Sequence, residues 1–230
     1  MMRLDPEFLR DLPAFADLET SEVREILDLA TPRRFADGAV IFHEGHDAER
    51  FYLLLDGHVR VVRINEDGEQ MIVLHLHSGS LIGIAPALGR TTYPATAIAA
   101  GEVIVLGWPC SAWNAFATRY PSFARNTYET VGRRIGEMTT NMLEIATQQV
   151  EHRIACALAR MVQQSGQKSD GAIVIDMPIT RQNIADMTGT TLHTVSRLLS
   201  AWERAGIIKS ARRRISVTDP AALARLSGQG

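Results

Sequence analysis

The C-terminal third of this 230-residue chain holds the side chains whose types and spacing could recognise another molecule. His193, Ser196 and Arg197 fall at i, i+3 and i+4, so a helix there presents all three on one face. Val195, Leu198, Leu199 and Trp202 supply the apolar face of the same helix. An arginine on the outward face of such a helix matches guanine O6 and N7 bidentately, a contact worth roughly 1–3 kcal/mol of base discrimination. Arg197 is therefore the leading base-reading residue, with Ser196 and His193 beside it; His193 can equally meet a phosphate. Upstream, Thr180 fits an N-cap with Asn183 at N3. Arg181 and Gln182 then lie in the first helical turn, where backbone N–H groups and the helix dipole favour a phosphate. Thr191, ahead of the second helix, joins this phosphate-contacting set. Arg212, Arg213 and Arg214 form a basic run suited to the nucleic-acid backbone or minor groove.

Elsewhere the chemistry is sparse. Cys110 and Cys156 are the only cysteines, 46 residues apart, which excludes a disulfide framework, a CxxC metal pair and a cluster held by four cysteines. No nucleophile elbow, phosphate-cradling glycine loop or HExxH is present, so catalysis is not expected. Seven histidines are scattered through the chain. His75 and His77 alternate on one strand face, where they could chelate a metal or simply form its solvated side. His43 and His46 flank Glu44-Gly45, and His58 follows Asp56-Gly57, which reads as a turn.

These residues need elements to position them. Around the C-terminal set the order is helix (Thr180–Met187), glycine turn, longer helix (Leu192–Ala205) and arginine hairpin, which is a winged helix-turn-helix order. From Arg33 to Leu106, short β-branched runs are cut by Asp-Gly, Glu-Gly and Ser-Gly pairs, as in a small sandwich or barrel. A short helix over Val23–Leu27 precedes them, with Ser21 or Thr20 as its cap. Between the two regions Ala124, Tyr128, Val131, Ile135, Met138, Met142, Ile145 and Gln149 step by four and three, a heptad seam. Arg133, Arg134, Glu137, Asn141 and Glu144 occupy its other faces. Such a seam suits an identical helix from a second subunit in a parallel dimer; the alternative is a helix packed on its own domain.

Charge divides along the same line. The chain carries 24 basic and 26 acidic side chains, a net of −2 that argues for no nucleic-acid partner. Residues 151–230 alone hold 11 basic against six acidic side chains, and residues 1–150 hold 13 against 20. The neutral total conceals a basic C-terminal part at +5 and an acidic remainder at −7. The basic part has the electrostatic footprint of a binder of double-stranded DNA, whose affinity comes largely from phosphate neutralisation. No apolar run approaches the roughly 18 residues of a membrane span, and the start Met-Met-Arg-Leu-Asp-Pro-Glu-Phe lacks a signal-like apolar region. A cytoplasmic protein with no membrane partner is expected.

Together, Asp37-Gly38, Glu44-Gly45, Phe51-Tyr52-Leu53, Asp56-Gly57-His58-Val59, Gly79-Ser80-Leu81-Ile82-Gly83, the long helix and Ile179–Ala185 with Gly189 and Thr194–Leu199 resemble the CRP/FNR superfamily of transcription regulators. The resemblance implies an α+β protein with an N-terminal β-roll sensor, a cyclic-nucleotide-binding-like jelly roll, over residues 1–120. A long dimerisation helix follows over 121–150, and a C-terminal winged helix-turn-helix over 151–230. It further implies a homodimer on inverted-repeat promoters, with activation through RNA polymerase. Tyr128, Val131, Ile135, Met138, Met142 and Ile145 would be the dimer seam.

The effector-pocket positions are Gly83, Ile84 and Tyr93. The cyclic-nucleotide branch carries Gly-Glu-Leu and Arg-Ser/Thr-Ala there; this chain reads Gly83-Ile84-Ala85 and Tyr93-Pro94-Ala95. Isoleucine and tyrosine cannot supply the charge-assisted bonds that ribose and cyclic phosphate need, so cyclic AMP is not expected. No cysteine precedes Cys110, which removes the iron-sulfur branch. The segments Tyr93–Ala97 and Gly189–Arg197 are most similar to the nitric-oxide-responsive NnrR/DNR branch that controls denitrification genes, which implies haem. His58 is the first choice of axial ligand, its alternative being an exposed turn residue. The rival is the same regulator sensing another small ligand or a redox change without haem.

Overall fold

A computed structural model describes residues 7–169 and 171–228. Its elements run α1 (Glu7–Arg10), α2 (Thr20–Asp28), β1 (Thr31–Phe35), β2 (Val40–Phe42), β3 (Arg50–Ile64), β4 (Gln70–His77), β5 (Leu81–Ile82), β6 (Thr96–Pro109), α3 (Trp113–Arg119) and α4 (Pro121–Thr147). They continue with α5 (Val150–Ser165), β7 (Gly166–Ser169), β8 (Ala172–Ile175), α6 (Arg181–Thr188), α7 (Leu192–Arg204), β9 (Ile208–Ala211), β10 (Arg214–Val217) and α8 (Pro220–Leu226). The chain divides into two compact units, the first running to Arg63 with Leu74–Glu137, the second holding Ile64–Val73 and everything from Met138. The division falls inside α4. No helix among the described residues is long and apolar enough to cross a membrane.

The first unit is the expected β-roll. Its six-stranded sheet has the order β1-β6-β3-β4, with β2 added to β6 and β5 to β3. The pairings recorded between these strands are antiparallel. Phe15, Phe51, Trp108, Trp113, Phe116 and Phe123 form an aromatic core under one side of the sheet. The buried Trp108 Nε1 is satisfied by the Ile26 carbonyl at 2.7 Å, and each such ring contributes roughly 1.5–3 kcal/mol by burial. The N-cap of α2 is Glu19 rather than Ser21 or Thr20, because Glu22 reaches back to accept from the Glu19 N–H.

One expected turn is absent. Asp56-Gly57 does not separate two strands; β3 runs through it, with register shifts against β6 between Leu54 and His58. This is a bulge. Gly57 has φ +90°, and a Cβ there would lie 2.3 Å from the Glu102 carbonyl oxygen on β6. Close backbone approach, rather than chain reversal, requires the glycine.

The second unit packs α5, α6, α7 and α8 against the sheet β7-β8-β10-β9. Ile154, Leu158, Ile184, Val195, Leu199, Trp202, Ile215 and Val217 are its core. The polar stretch after α5 forms β7, paired to β8.

Candidate nucleic-acid interface

Local chemistry fixes the two helices. The Thr180 hydroxyl accepts from Asn183 N–H at 3.1 Å while Asn183 Oδ1 accepts from Thr180 N–H at 3.0 Å, a reciprocal capping box that starts α6. Gly189, at φ +58°, ends it in the left-handed region and turns the chain within three residues into α7. Thr191 caps α7, its hydroxyl accepting from Thr194 N–H at 3.2 Å. Val195, Leu199 and Trp202 are buried, so the opposite face is turned out. His193 and Arg197 lie on it, exposed, with Ser196 half-buried beside them. The structure thus brings the three residues expected to read bases onto one surface.

The phosphate set is more varied. Arg181 leans on α7, its guanidinium 3.5 Å from Glu203 Oε2, and Gln182 donates to Asp186 Oδ1 at 2.7 Å. What α6 offers a phosphate without rearrangement is its first-turn backbone N–H groups. Glu203 also accepts from the Ser210 N–H at 3.1 Å, tying α7 to β9. Arg212 and Arg214 are exposed at the β9–β10 turn, where Arg213 adopts φ +57° and its carbonyl accepts from Ile179 N–H at 3.1 Å. The wing and the start of α6 are thereby held together.

Arg153, which composition alone counts among the basic side chains, serves structure instead. It is buried on α5 and donates to the carbonyls of Ile145 at 2.8 Å and Gly189 at 3.4 Å. Trp202 Nε1 donates to Glu151 at 3.1 Å. These contacts fix the turn between α6 and α7.

Along α4, Tyr128, Ile135, Met138 and Met142 expose their side chains as a seam requires, and Leu143, outside the predicted seam, does too. Two expected seam residues depart. Val131 is half-buried against the β-roll core, and Ile145 is half-buried on the turn around Gly189. The column at Tyr128, Ile135 and Met142, seven residues apart, stays exposed. Arg134, expected on an outer polar face, is buried: Nη2 donates to the Leu81 carbonyl at 2.6 Å, and Nε has no partner among the described residues. Loss of hydration and then the charge of Arg133 depress its pKa to about 10 against the opposing charge of Glu137, and among the described residues no carboxylate reaches it as an ion pair.

The sensor positions are brought together, Gly83 and Ile84 in close packing and Tyr93 at the edge of an open cleft. Gly83, at φ +69°, abuts the Arg50 carbonyl and the rings of Phe42 and Tyr93. Ile84 and Tyr93 are buried. Tyr93 stacks on Phe42 with centroids 4.0 Å apart, and its hydroxyl donates to Arg50 O at 2.7 Å and accepts from Arg50 N–H at 3.1 Å. Burial raises its pKa to about 12. Phe42, Arg50 and Tyr93 also line an open cleft of about 660 Å³, with Arg33, His43, His46, Asp47, Glu49 and Tyr52 in its wall.

His58 is not a turn residue: it sits within β3 opposite Ala100, half-buried. Haem needs an axial ligand facing an apolar slot. The surroundings of His58 include the charged Arg60 and the imidazole of His75, while the space beside Gly83 is filled by Phe42 and Tyr93. The setting of His58 does not fit haem. Of the other pair, His77 is exposed as expected for the solvated side of its strand, whereas His75 is half-buried with Nδ1 closed off from solvent, and burial pushes its pKa down to about 3. Cys110 has its pKa raised to about 11 by burial, so it holds no thiolate for redox chemistry near neutral pH. Among the described residues no group of three or more His, Cys, Asp or Glu side chains could hold a metal ion.

Residues 32–120 match the cyclic nucleotide-binding domain family, and residues 152–226 match the Crp-like helix-turn-helix domain. The nitrogen fixation regulation protein FixK of Bradyrhizobium diazoefficiens is 27% identical over 95% of this chain and 91% of its own length. The global nitrogen regulator of Synechococcus elongatus is 29% identical over 84% and 87% of the two chains. The solved structure of FixK2 from Bradyrhizobium japonicum superposes with a TM-score of 0.77 at 25% identity, covering 86% of this chain and 96% of that one. A β-roll, a long helix and a Crp-like helix-turn-helix, in this order and over nearly the whole chain, make this protein a member of the CRP/FNR family of transcription regulators.

Proposed function

We propose that this protein is a homodimeric activator that reads inverted-repeat promoter DNA through α7 and changes that reading when its β-roll binds a small ligand. The observation that carries the DNA half is the exposed face of His193, Ser196 and Arg197 on a helix whose opposite face is buried and whose cap and turn are fixed. The exposed column of α4 supports the dimer. Two such helices read half-sites about one DNA turn apart. In vitro selection from a random duplex pool tests this: a two-fold repeat with that spacing is expected, and an unenriched pool would contradict it.

For the signal, the sequence resemblance favours nitric oxide through haem and control of denitrification genes. The packing around His58 and Gly83 favours the rival, a small ligand without haem. Arg134 supports an anionic one, because a buried guanidinium with no carboxylate in ion-pair contact among the described residues gains most from a ligand that brings the charge. RNA polymerase is the further partner that activation implies. A stoichiometric Soret band on haem titration would restore the haem reading; its absence supports the other.

A further inference from the structure

Tyr52, on β3, is 4% exposed, yet it lines the open cleft of about 660 Å³. No described residue shares a hydrogen bond with its hydroxyl. A tyrosine buried this deeply ordinarily finds a partner for its O–H. Burial raises the pKa of that hydroxyl, Arg33 and Arg50 lower it, and Cys110 and Glu49 raise it, so it remains a protonated donor among charges of both signs. Arg33 and Arg50 stand in the cleft wall with Asp47 and Glu49. Among the described residues none of these four side chains forms an ion pair or a hydrogen bond, although Arg34 pairs with Glu102 and Arg63 with Glu44, each at 2.8 Å. Their backbones are fixed nonetheless: the Tyr93 hydroxyl is bonded to both Arg50 backbone groups, at 2.7 and 3.1 Å, and the Glu49 carbonyl accepts from Cys110 N–H at 2.8 Å. Two guanidiniums and two carboxylates cancel, which suits a ligand with one charge of each sign better than a plain anion. Ile41 and Phe42, half-buried, also line the cleft and offer such a ligand an apolar surface. Gly83, Ile84 and Arg134 are not among the described residues that line it, so the site is apart from them.

We propose that this cleft binds a free amino acid with an apolar side chain, its carboxylate on Arg33, Arg50 and the Tyr52 hydroxyl and its ammonium on Asp47 and Glu49. A guanidinium fork matches a carboxylate, and a compact ammonium donates to carboxylate oxygens. The site is additional to the ligand that changes DNA reading, and its test needs no DNA.

Isothermal titration calorimetry of the full-length protein with each standard amino acid in turn tests this. An apolar amino acid is expected to bind, and its deaminated acid and its decarboxylated amine to bind more weakly. Arg50→Gln should weaken the amino acid by about ten- to a hundredfold. Glu49→Gln, which neutralises an exposed carboxylate, should weaken it by only about two- to fivefold. Tyr52→Phe keeps the ring, edge-on to Phe35 with centroids 6.4 Å apart, and removes only the donor, so the fold is kept and affinity falls by about tenfold. Circular dichroism melting checks the fold of each variant. Binding of no amino acid, equal binding of the amino acid and its deaminated acid, or wild-type affinity in both Arg50→Gln and Tyr52→Phe would each overturn the proposal, and would leave DNA reading by α7 standing.

Discussion

Replacing Ile135 with aspartate should turn the dimer into monomers without unfolding either protomer. The side chain is 56% exposed on α4, in the column it shares with Tyr128 and Met142. Full burial of an isoleucine is worth about 1.5–3 kcal/mol, so covering its exposed half contributes about 1 kcal/mol per copy and about 2 kcal/mol per dimer. Aspartate forfeits this and sets two carboxylates against each other in an apolar seam. Even with each carboxylate partly turned to water, a cost of about 1 kcal/mol apiece brings the total to about 4 kcal/mol, or about a thousandfold in the dimer Kd. Sedimentation equilibrium across a concentration series measures that constant directly. Helical content by circular dichroism should stay at the wild-type value, since the side chain supports no core. A variant that remains a dimer with unchanged Kd would show that this column is not the interface.

Thr180→Ala removes a hydroxyl that accepts from Asn183 N–H and should cost about 1–2 kcal/mol of stability, read as a lower urea midpoint with unchanged m. Acid should destabilise the β-roll through His75. Its folded pKa, pushed to about 3 by burial and then by Arg60 and His58, lies below the unfolded value, so below pH 6.5 the unfolded chain takes up a proton that the folded one refuses. Stability is full above pH 6.5 and falls by about 2–3 kcal/mol by pH 4.5. His75→Leu should flatten that part of the urea-midpoint profile, and an unchanged profile would contradict the assignment. Cys110, with its pKa near 11, should react with a thiol probe at pH 7.5 more than about a hundredfold slower than an unhindered cysteine.

The helix-turn-helix was legible because its signals are local. Thr180, Gly189 and Thr191 specify caps and a left-handed turn within twelve residues, and the apolar spacing of Val195, Leu199 and Trp202 orients α7. The bulge in β3 was not, because Asp56-Gly57 has the residues of a turn and only the carbonyl of Glu102, 45 positions on, reveals the bulge. The heptad period located α4, yet it cannot say which seam residues the same chain covers; Val131 and Ile145 are covered. For the same reason Arg134 read as one more polar side chain on an outer face. Its burial against Leu81 depends on contacts 53 positions apart. The sensor cleft likewise depends on Phe42 meeting Tyr93.

Base reading by α7 is tested most directly by one comparison, the Kd of wild type and of Arg197→Ala on the selected repeat and on a scrambled duplex of the same length and salt. Losing one bidentate contact of about 2 kcal/mol per protomer should weaken the variant on the repeat by about a thousandfold. On the scrambled duplex, where phosphates supply the affinity, its Kd should change by no more than a few fold. Equal weakening on both duplexes would mean that Arg197 meets only the backbone, and would contradict sequence reading by this face.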